Sequence, residues 1–367
     1  MLDHIHSPPQ LVRAQMEGPY KIVGKIYAHD SPIRSLTLGP EGDIVVGSQS
    51  TSESPPVVRR FNVGYINCID GLEQVITEIA DPWYHDHWVT ALTSSAQAKG
   101  ASKKNLLVSG CMDSNIRLFD TATSSMLGLL EGHSKGIISL NWTDNGYLLS
   151  GSWDGTAKVW DVENRKCIKT LSNHENGVHI IGLSSGLVVT TSTGESVNNK
   201  PANYKIRIWD ICSTPGDDGI LLDTIEDHEG SIRSIARILL DHGYDGYATT
   251  SNDGSLKIRA GDGSVSSTFY HSNIDNDGSP FVLDNCPVYE RASNYDGAVQ
   301  SGSLDSGSSS SSSGSNSNSS SNNRTSNSCV AFMHGGCSKV VGHVSCAEDG
   351  SVIIWKDGKL LQVQTHI

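Results

Sequence analysis

Residues 129–171 read LLEGHSKGIISLNWTDNGYLLSGSWDGTAKVWDVENRKCIKTL. A Gly-His pair (Gly132, His133) precedes an alternating apolar run. A second run closes on Ser-x-Asp-Gly, and a third closes on Trp160-Asp161. Short apolar runs rich in Val, Ile and Leu, alternating or continuous, are strand patterns. The intervening Asp-Asn-Gly is tight-turn chemistry, because Asn and Asp bond their own backbone and Gly accepts a positive φ.

The block recurs. AHDSPIRSLTL…GDIVVGSQ…VVRRFNV carries His29, and YHDHWVTAL…LLVSGCMDSNIRLFD carries His85. NHENGVHIIGL…LVVTTST…KIRIWD carries His174, DHEGSIRSIARILL…GYATTSNDGSLKIRA carries His228, and YHSN…CVAFM…KVVGHVSCAEDGSVIIW carries His271. In five of the six repeats the histidine stands four residues before an apolar residue: Ile33, Val89, Ile137, Val178 and Ile232. Successive histidines are 56, 48, 41, 54 and 43 residues apart. No stretch sustains a helical period, so the chain reads as all-β. The combination resembles the WD repeat, whose unit of about 40–45 residues is one four-stranded propeller blade. The longer spacings then hold insertions.

Within such a blade the turn aspartate (Asp113, Asp154, Asp253, Asp349) is expected to face the preceding histidine. A strand serine and the third-strand tryptophan (Trp160, Trp209, Trp355) complete a buried polar network, which rigidifies when every member is bonded. These residues build the fold rather than perform chemistry. Strand order gives six complete blades plus an orphan outer strand, YKIVGKIY at 20–27. The economical account is a seven-bladed propeller whose last blade is incomplete; the alternative is a closed six-blade ring with a redundant first strand.

The 367 residues carry 40 acidic and 27 basic side chains, a net charge of −13. That balance argues against nucleic acid as a partner, since phosphate binding needs a basic face. No apolar stretch approaches the ~20 residues of a spanning helix, and the start MLDHIHSPPQ lacks the features of a signal peptide. A cytosolic or nuclear protein without a membrane partner is expected. The eight cysteines form no Cys-x-x-Cys pair, and in a reducing compartment scattered thiols are core residues.

YLLSGSWDGTAKVW (147–160), TTSNDGSLKI (249–258) and SCAEDGSVIIW (345–355) are similar, in order, to the third, fifth and sixth blades of one family. This is the N-terminal propeller of phospholipase A-2-activating protein and its fungal ubiquitin-fusion-degradation counterparts. HDSPIRSL and HEGSIRSI resemble its first and fifth inner-strand starts. The similarity runs from about Tyr20 to Ile367. It implies a non-catalytic, cofactor-free adaptor that binds ubiquitin or ubiquitinated proteins, with a generic interaction scaffold as the alternative. In that family, further domains dock the valosin-containing AAA ATPase; these residues do not carry that docking. The chain departs in lacking a seventh blade and following domains, and in the expanded turns SQSTSESPPVV and TGESVNNKPANYK, which lack the turn aspartate.

Loops entering the first strand of each blade share one face with the turns between its second and third strands. The candidate partner-binding residues there are Arg34, Trp88, Met112, Trp153, Glu229, Arg233, Asn252 and Glu348. Trp153, Asn252 and Glu348 occupy the variable position of the Ser-x-Asp type of turn. Arg34 and Arg233 follow the first apolar residue of the inner strand. All five match the family pattern, and Trp88 replaces another aromatic of the family. Trp and Arg are favoured interface anchors.

Other signals point to bland structure. NIDNDGSPFVLD (273–284) mimics a calcium loop, but begins on Asn, ends on Asp, contains Pro280 and lacks flanking helices. CVAFMHGGCSKVVGHVSC (329–346) gathers Cys and His along strands that alternate faces, unlike four converging zinc ligands. No metal site is expected. Residues 286–328 form an insertion in the sixth blade, its Ser/Asn-rich part (301–328) too polar to order, and 1–19 are a flexible leader.

Overall fold

The computed structural model describes residues 29, 31–68, 71–95, 105–172, 174–193, 204–212, 218–239, 245–253, 255–270, 282–289, 340–347, 351–356 and 359–365. Among them there are six antiparallel sheets and no α-helix. The first holds β1 (Ile33–Leu38), β2 (Ile44–Ser48), β3 (Val57–Cys68) and β4 (Gly71–Glu78). A short β5 (Trp83–Tyr84) pairs with Val57 and Val58, the part of β3 that β4 does not reach. The second holds β6 (Val89–Ser94), β7 (Leu106–Cys111), β8 (Ile116–Asp120) and β9 (Ser125–Leu130). The third holds β10 (Ile137–Trp142), β11 (Leu148–Ser152), β12 (Ala157–Asp161) and β13 (Lys166–Leu171). The fourth holds β14 (Val178–Gly182), β15 (Leu187–Ser192), β16 (Ile206–Asp210) and β17 (Ile220–Ile225). The fifth holds β18 (Ile232–Leu239), β19 (Asp245–Ser251), β20 (Ser255–Ala260) and β21 (Val265–Tyr270). The sixth holds β22 (Val282–Tyr289), β23 (Val340–Ala347), β24 (Ser351–Lys356) and β25 (Lys359–Thr365).

First strands pack in succession: β1 on β6, β6 on β10, then β14, β18 and β22. The core lies in the seams. Val108, Leu118 and Leu130 of the second sheet meet Ile137, Leu148 and Trp160 of the third. Val159 and Leu171 of the third meet Val178, Ile180 and Trp209 of the fourth. Ile181, Val189 and Ile208 then meet Ile232 and Tyr247 of the fifth. Burial of both faces explains why central strands such as Leu106–Cys111 read as continuous apolar runs rather than strict alternation.

One clasp ties three sheets at the end opposite the Ser-x-Asp turns. Arg237 on β18 forks onto Asp144, in the turn after β10, at 2.9 and 3.3 Å, and reaches Asp245 of β19 at 3.1 Å. It also bonds Ser184, in the turn after β14. Arg237→Ala is expected to lower stability by about 2 kcal/mol, because charged hydrogen bonds contribute more than neutral ones and both carboxylates lose a partner. Urea melts check this. Arg237→Lys should recover only part of the loss, since an ammonium cannot span both acids.

The sixth sheet corrects one sequence expectation. Its first strand is Val282–Tyr289, paired with β23, and so takes in residues 286–289 that were expected to belong to the insertion. Pro287 obscured it: proline lacks a ladder donor but is tolerated on a strand bonded along one edge. Residues 286–289 of the expected insertion are therefore strand, and 290–328 lie outside the described residues, as do the leader 1–19 and the orphan strand 20–27. Most of the calcium-like loop and of the Cys/His-rich stretch also lies outside them. Among the described residues no helix is long and apolar enough to cross a membrane.

Candidate partner-binding face

The antiparallel order places the start of each first strand beside the turn between the second and third strands. A backbone bond fixes this pairing sheet after sheet. The turn residue donates its N–H to the carbonyl just before the first strand: Gln49 to Pro32 (2.9 Å), Met112 to Trp88 (3.0 Å), Trp153 to Gly136 (3.0 Å), Thr193 to Gly177 (2.8 Å) and Asn252 to Ser231 (2.9 Å). Five turn side chains are thereby set at one end of successive sheets.

A network under each turn holds it, and its chemistry differs by sheet. In the third sheet His133 Nδ1–H donates to Asp154 (2.8 Å), and the Ser150 hydroxyl donates to His133 Nε2 (2.7 Å). Trp160 Nε1–H donates to Ser150 (2.8 Å), and Asp154 also takes the amides of Ser134 and Thr156. The fifth sheet repeats this with His228, Asp253 and Thr249, but buried Arg259 stands in the tryptophan position and pairs with Asp227 at 2.6 Å. The fourth keeps Trp209, Thr190 and His174. Where an aspartate would stand, Arg207 donates to His174 Nδ1 at 2.8 Å. That donor forces the opposite tautomer: His174 carries its proton on Nε2 and gives it to Thr190. The second sheet departs from expectation: Asp113 pairs with Arg117 (2.6 Å) rather than a histidine, and His85 bonds Ser109 and the Trp83 carbonyl. Asp349 lies outside the described residues.

Burial, then a neighbouring arginine, pushes His85 down to about 4, His174 to about 3 and His179 to about 4. These imidazoles are therefore neutral. Cys111 is buried, and burial pushes its thiol up to about 12, which removes it as a nucleophile; Cys167 is half-buried and Cys212 exposed. Among the described residues no group of three or more His, Cys, Asp or Glu is placed to hold a metal ion.

The expanded turns are closed differently. Ser48 accepts the Val57 amide (3.0 Å), and Ser192 accepts the Lys205 amide (3.1 Å). The ordinary turn of the third sheet instead has Ser152 donating back to the carbonyls of Lys135 and Gly136 at 3.0 Å.

On this frame six of the eight candidate residues fall into two groups. Arg34 lies over the Trp88 ring at 5.4 Å, its Nε bonds Gln49 (2.7 Å), and Trp88 Nε1–H bonds Ser50 (2.9 Å). Met112 and Trp153 continue this track. A Cβ at Gly136 would stand 2.5 Å from Met112 Sδ, and one at Gly177 would stand 2.7 Å from the Trp153 ring. Each turn side chain thus lies over the glycine that leads into the next sheet. Arg34, Trp88, Met112 and Trp153 are all half-buried. Separately, Arg233 Nε bonds Asn252 at 2.9 Å. Arg34 and Arg233 are each the extra residue of a β-bulge, at Ile33/Ser35 and Ile232/Ser234, a device that re-aims a side chain. In the fourth sheet the β14–β15 ladder has no bulge, and His179 at the equivalent place stays opposite Thr191, buried.

Glu229 is exposed, its amide on Asp253, and nothing ties its side chain to either group. Glu348 lies outside the described residues. Gln49, Ser50 and Thr193 were missed. Their signal was available: Ser48-Gln49-Ser50 and Ser192-Thr193-Gly194 occupy the place of Ser152-Trp153-Asp154, hidden by turns that lack the aspartate.

These sheets, turns and histidine networks define a WD-repeat β-propeller, a class whose members are in general interaction scaffolds. The WD domain, G-beta repeat, matches residues 124–161. The WD40 propeller domain of Doa1 superposes with a TM-score of 0.57 at 19% identity, covering 95% of this chain and 87% of that one, and shares the fold. The COMPASS component SWD3 of Saccharomyces cerevisiae is 25% identical over 192 residues, 50% of this chain and 53% of SWD3. The F-box/WD repeat-containing protein sel-10 of Caenorhabditis elegans is 36% identical over 88 residues, 24% of this chain and 14% of sel-10. The chain thus spans about half of SWD3 and a smaller part of sel-10.

Proposed function

We propose that the chain is a non-catalytic, cytosolic or nuclear adaptor of ubiquitin-dependent turnover, whose turn face docks ubiquitin or ubiquitinated proteins. The observation that carries it is the track Arg34–Trp88–Met112–Trp153, half-buried side chains at one end of three adjacent sheets. Interfaces enrich Trp, Arg and Met, and a net charge of −13 suits a partner whose apolar patch has a basic rim. The ordered similarity to a family of ubiquitin-binding propellers supports the choice of partner. The second reading is a scaffold without ubiquitin affinity, favoured by WD-repeat relatives as diverse as a COMPASS component and an F-box protein.

Titrating the labelled chain with mono-ubiquitin by NMR separates the two. Shifts should gather on Arg34, Trp88, Met112 and Trp153, with affinity in the weak range of about −8 to −4 kcal/mol. Trp88→Ala or Trp153→Ala should each cost more than about 1 kcal/mol of binding. A spectrum unmoved by ubiquitin leaves the scaffold reading.

A further inference from the structure

The outer rim of the fourth sheet carries a second surface. In the second to fifth sheets the outermost strand has a bulge at the same point, where pairing skips Leu127, Ile168, Leu222 and Ser266. Leu127 and Ile168 are partly buried against the seams beside them. Leu222 is 53% exposed, and Ile220 and Leu221 are 42% and 40% exposed. Single exposed apolar residues are ordinary, as Met126 on β9 and Val265 on β21 show. Three in succession form a patch, and patches mark interaction sites.

The patch lies on an open edge. β17 pairs with β16 on one side, and among the described residues no strand pairs with its other side. Such edges are usually blunted by lysine or proline. β13 has Lys166 and Lys169, whereas β9, β17 and β21 have neither lysine nor proline, and among their described side chains β17 alone has successive exposed apolar residues. Its segment, GDDGILLDTIED (216–227), contains five carboxylates and no base. Glu226 pairs with Lys205 and Asp227 with Arg259, while Asp218 and Asp223 are exposed beside the apolar residues. Two copies of this edge would crowd like charges together, which disfavours self-pairing.

We infer that β17 is a docking edge for an extended segment of a partner protein in which apolar residues alternate with lysine or arginine. The segment adds to the fourth sheet as an outer strand. Main-chain bonds to the open edge supply affinity. The bulge at Leu222 puts Ile220 and Asp223 on one face of the strand and Leu221 on the other. The apolar side chains of the segment pack beside Leu221 and Leu222, while its bases reach Asp218 and Asp223. The site is separate from the turn face and does not depend on ubiquitin binding.

The test titrates the full chain with acetyl-Lys-Val-Lys-Val-Lys-Val-Lys-amide and with the same peptide carrying glutamate for lysine. The basic peptide should slow hydrogen exchange of the β17 amides and leave β21 unchanged, and the acidic peptide should do neither. Leu221→Lys with Leu222→Lys should weaken the basic peptide about tenfold; Asp218→Asn with Asp223→Asn, which keeps the apolar patch, should also weaken it. Equal binding of the two peptides, no protection on β17, or indifference to both double variants overturns the assignment. A concentration-dependent dimer abolished by Leu221→Lys with Leu222→Lys also overturns it, because a second copy would then be the occupant.

Discussion

Trp160→Ala is expected to destabilise the third sheet and its seam with the second by about 3–5 kcal/mol, the range for removing a large buried aromatic. Trp160 is 1% exposed, packs with Leu118, Leu130 and Leu148, and donates its indole N–H to Ser150 at 2.8 Å. Alanine both opens a cavity and removes one bond from a network in which Ser150 relays to His133 and His133 to Asp154. Stacked repeats lose stability locally and pass the loss to their neighbours. Hydrogen exchange should therefore quicken first in β10–β13, then in β6–β9. Trp160→Phe keeps most of the volume and should cost only about 1 kcal/mol, the value of one hydrogen bond. The second sheet already uses Phe119 at this place, with Trp83 stacked on it at 4.4 Å. Unchanged exchange in Trp160→Ala would show that the seam holds without the indole.

Mild acid should weaken the whole chain. His85, His174 and His179 titrate near 6.5 when unfolded, but are pushed down to about 4, 3 and 4 by burial and by Arg117, Arg207 and Arg233. Between those values and 6.5 the unfolded chain binds more protons, so stability falls as pH drops. The slope is about 1.4 kcal/mol per pH unit for each group, or about 2 kcal/mol each at pH 5. Total stabilities of about 5–15 kcal/mol make that a large share. His133 and His228 are also lowered by burial, although Asp154 and Asp253 oppose the shift. The carboxylates act later. Burial works against ionisation of Asp154 and Asp253, yet bonds from His133 and Thr156, and from His228 and Ser255, hold them well below the usual carboxylate range. Their contribution is present above about pH 4 and is lost only in stronger acid. Urea midpoints should fall between neutral pH and about pH 5. A flat profile there would mean the imidazoles are not buried neutral.

The repeat made the fold legible. Histidines four residues before an apolar position, and third strands ending on Trp160-Asp161 or Trp209-Asp210, mark five of the first strands in the sequence alone. The sixth failed at Val282–Tyr289 because Pro287 interrupts the strand pattern. Trp88, Met112 and Trp153 were readable because their turns keep the standard length. The pairing of Arg34 with Trp88 was not, since it depends on a bulge and on contact between neighbouring sheets. Nor was the assignment of Asp113 to Arg117: both sequences, Cys-Met-Asp-Ser and Ser-Trp-Asp-Gly, look alike, and the outcome turns on which cation or imidazole reaches the carboxylate.

The serine clips at Ser48 and Ser192 bear on how this chain acquires length. Where a turn aspartate is part of the histidine network, as at Asp154, any residue added to the turn shifts a group the core needs. In the fourth sheet Arg207, a strand residue, has taken over the histidine, and Ser192 closes the base of the turn against Lys205. The histidine network no longer fixes the length of this turn, and loop closure grows only slowly more costly with length. The two longest turns of this kind, after Ser48 and Ser192, are thus the places where evolution, or a protein engineer grafting a recognition loop, can lengthen the chain without renegotiating the blade beneath it.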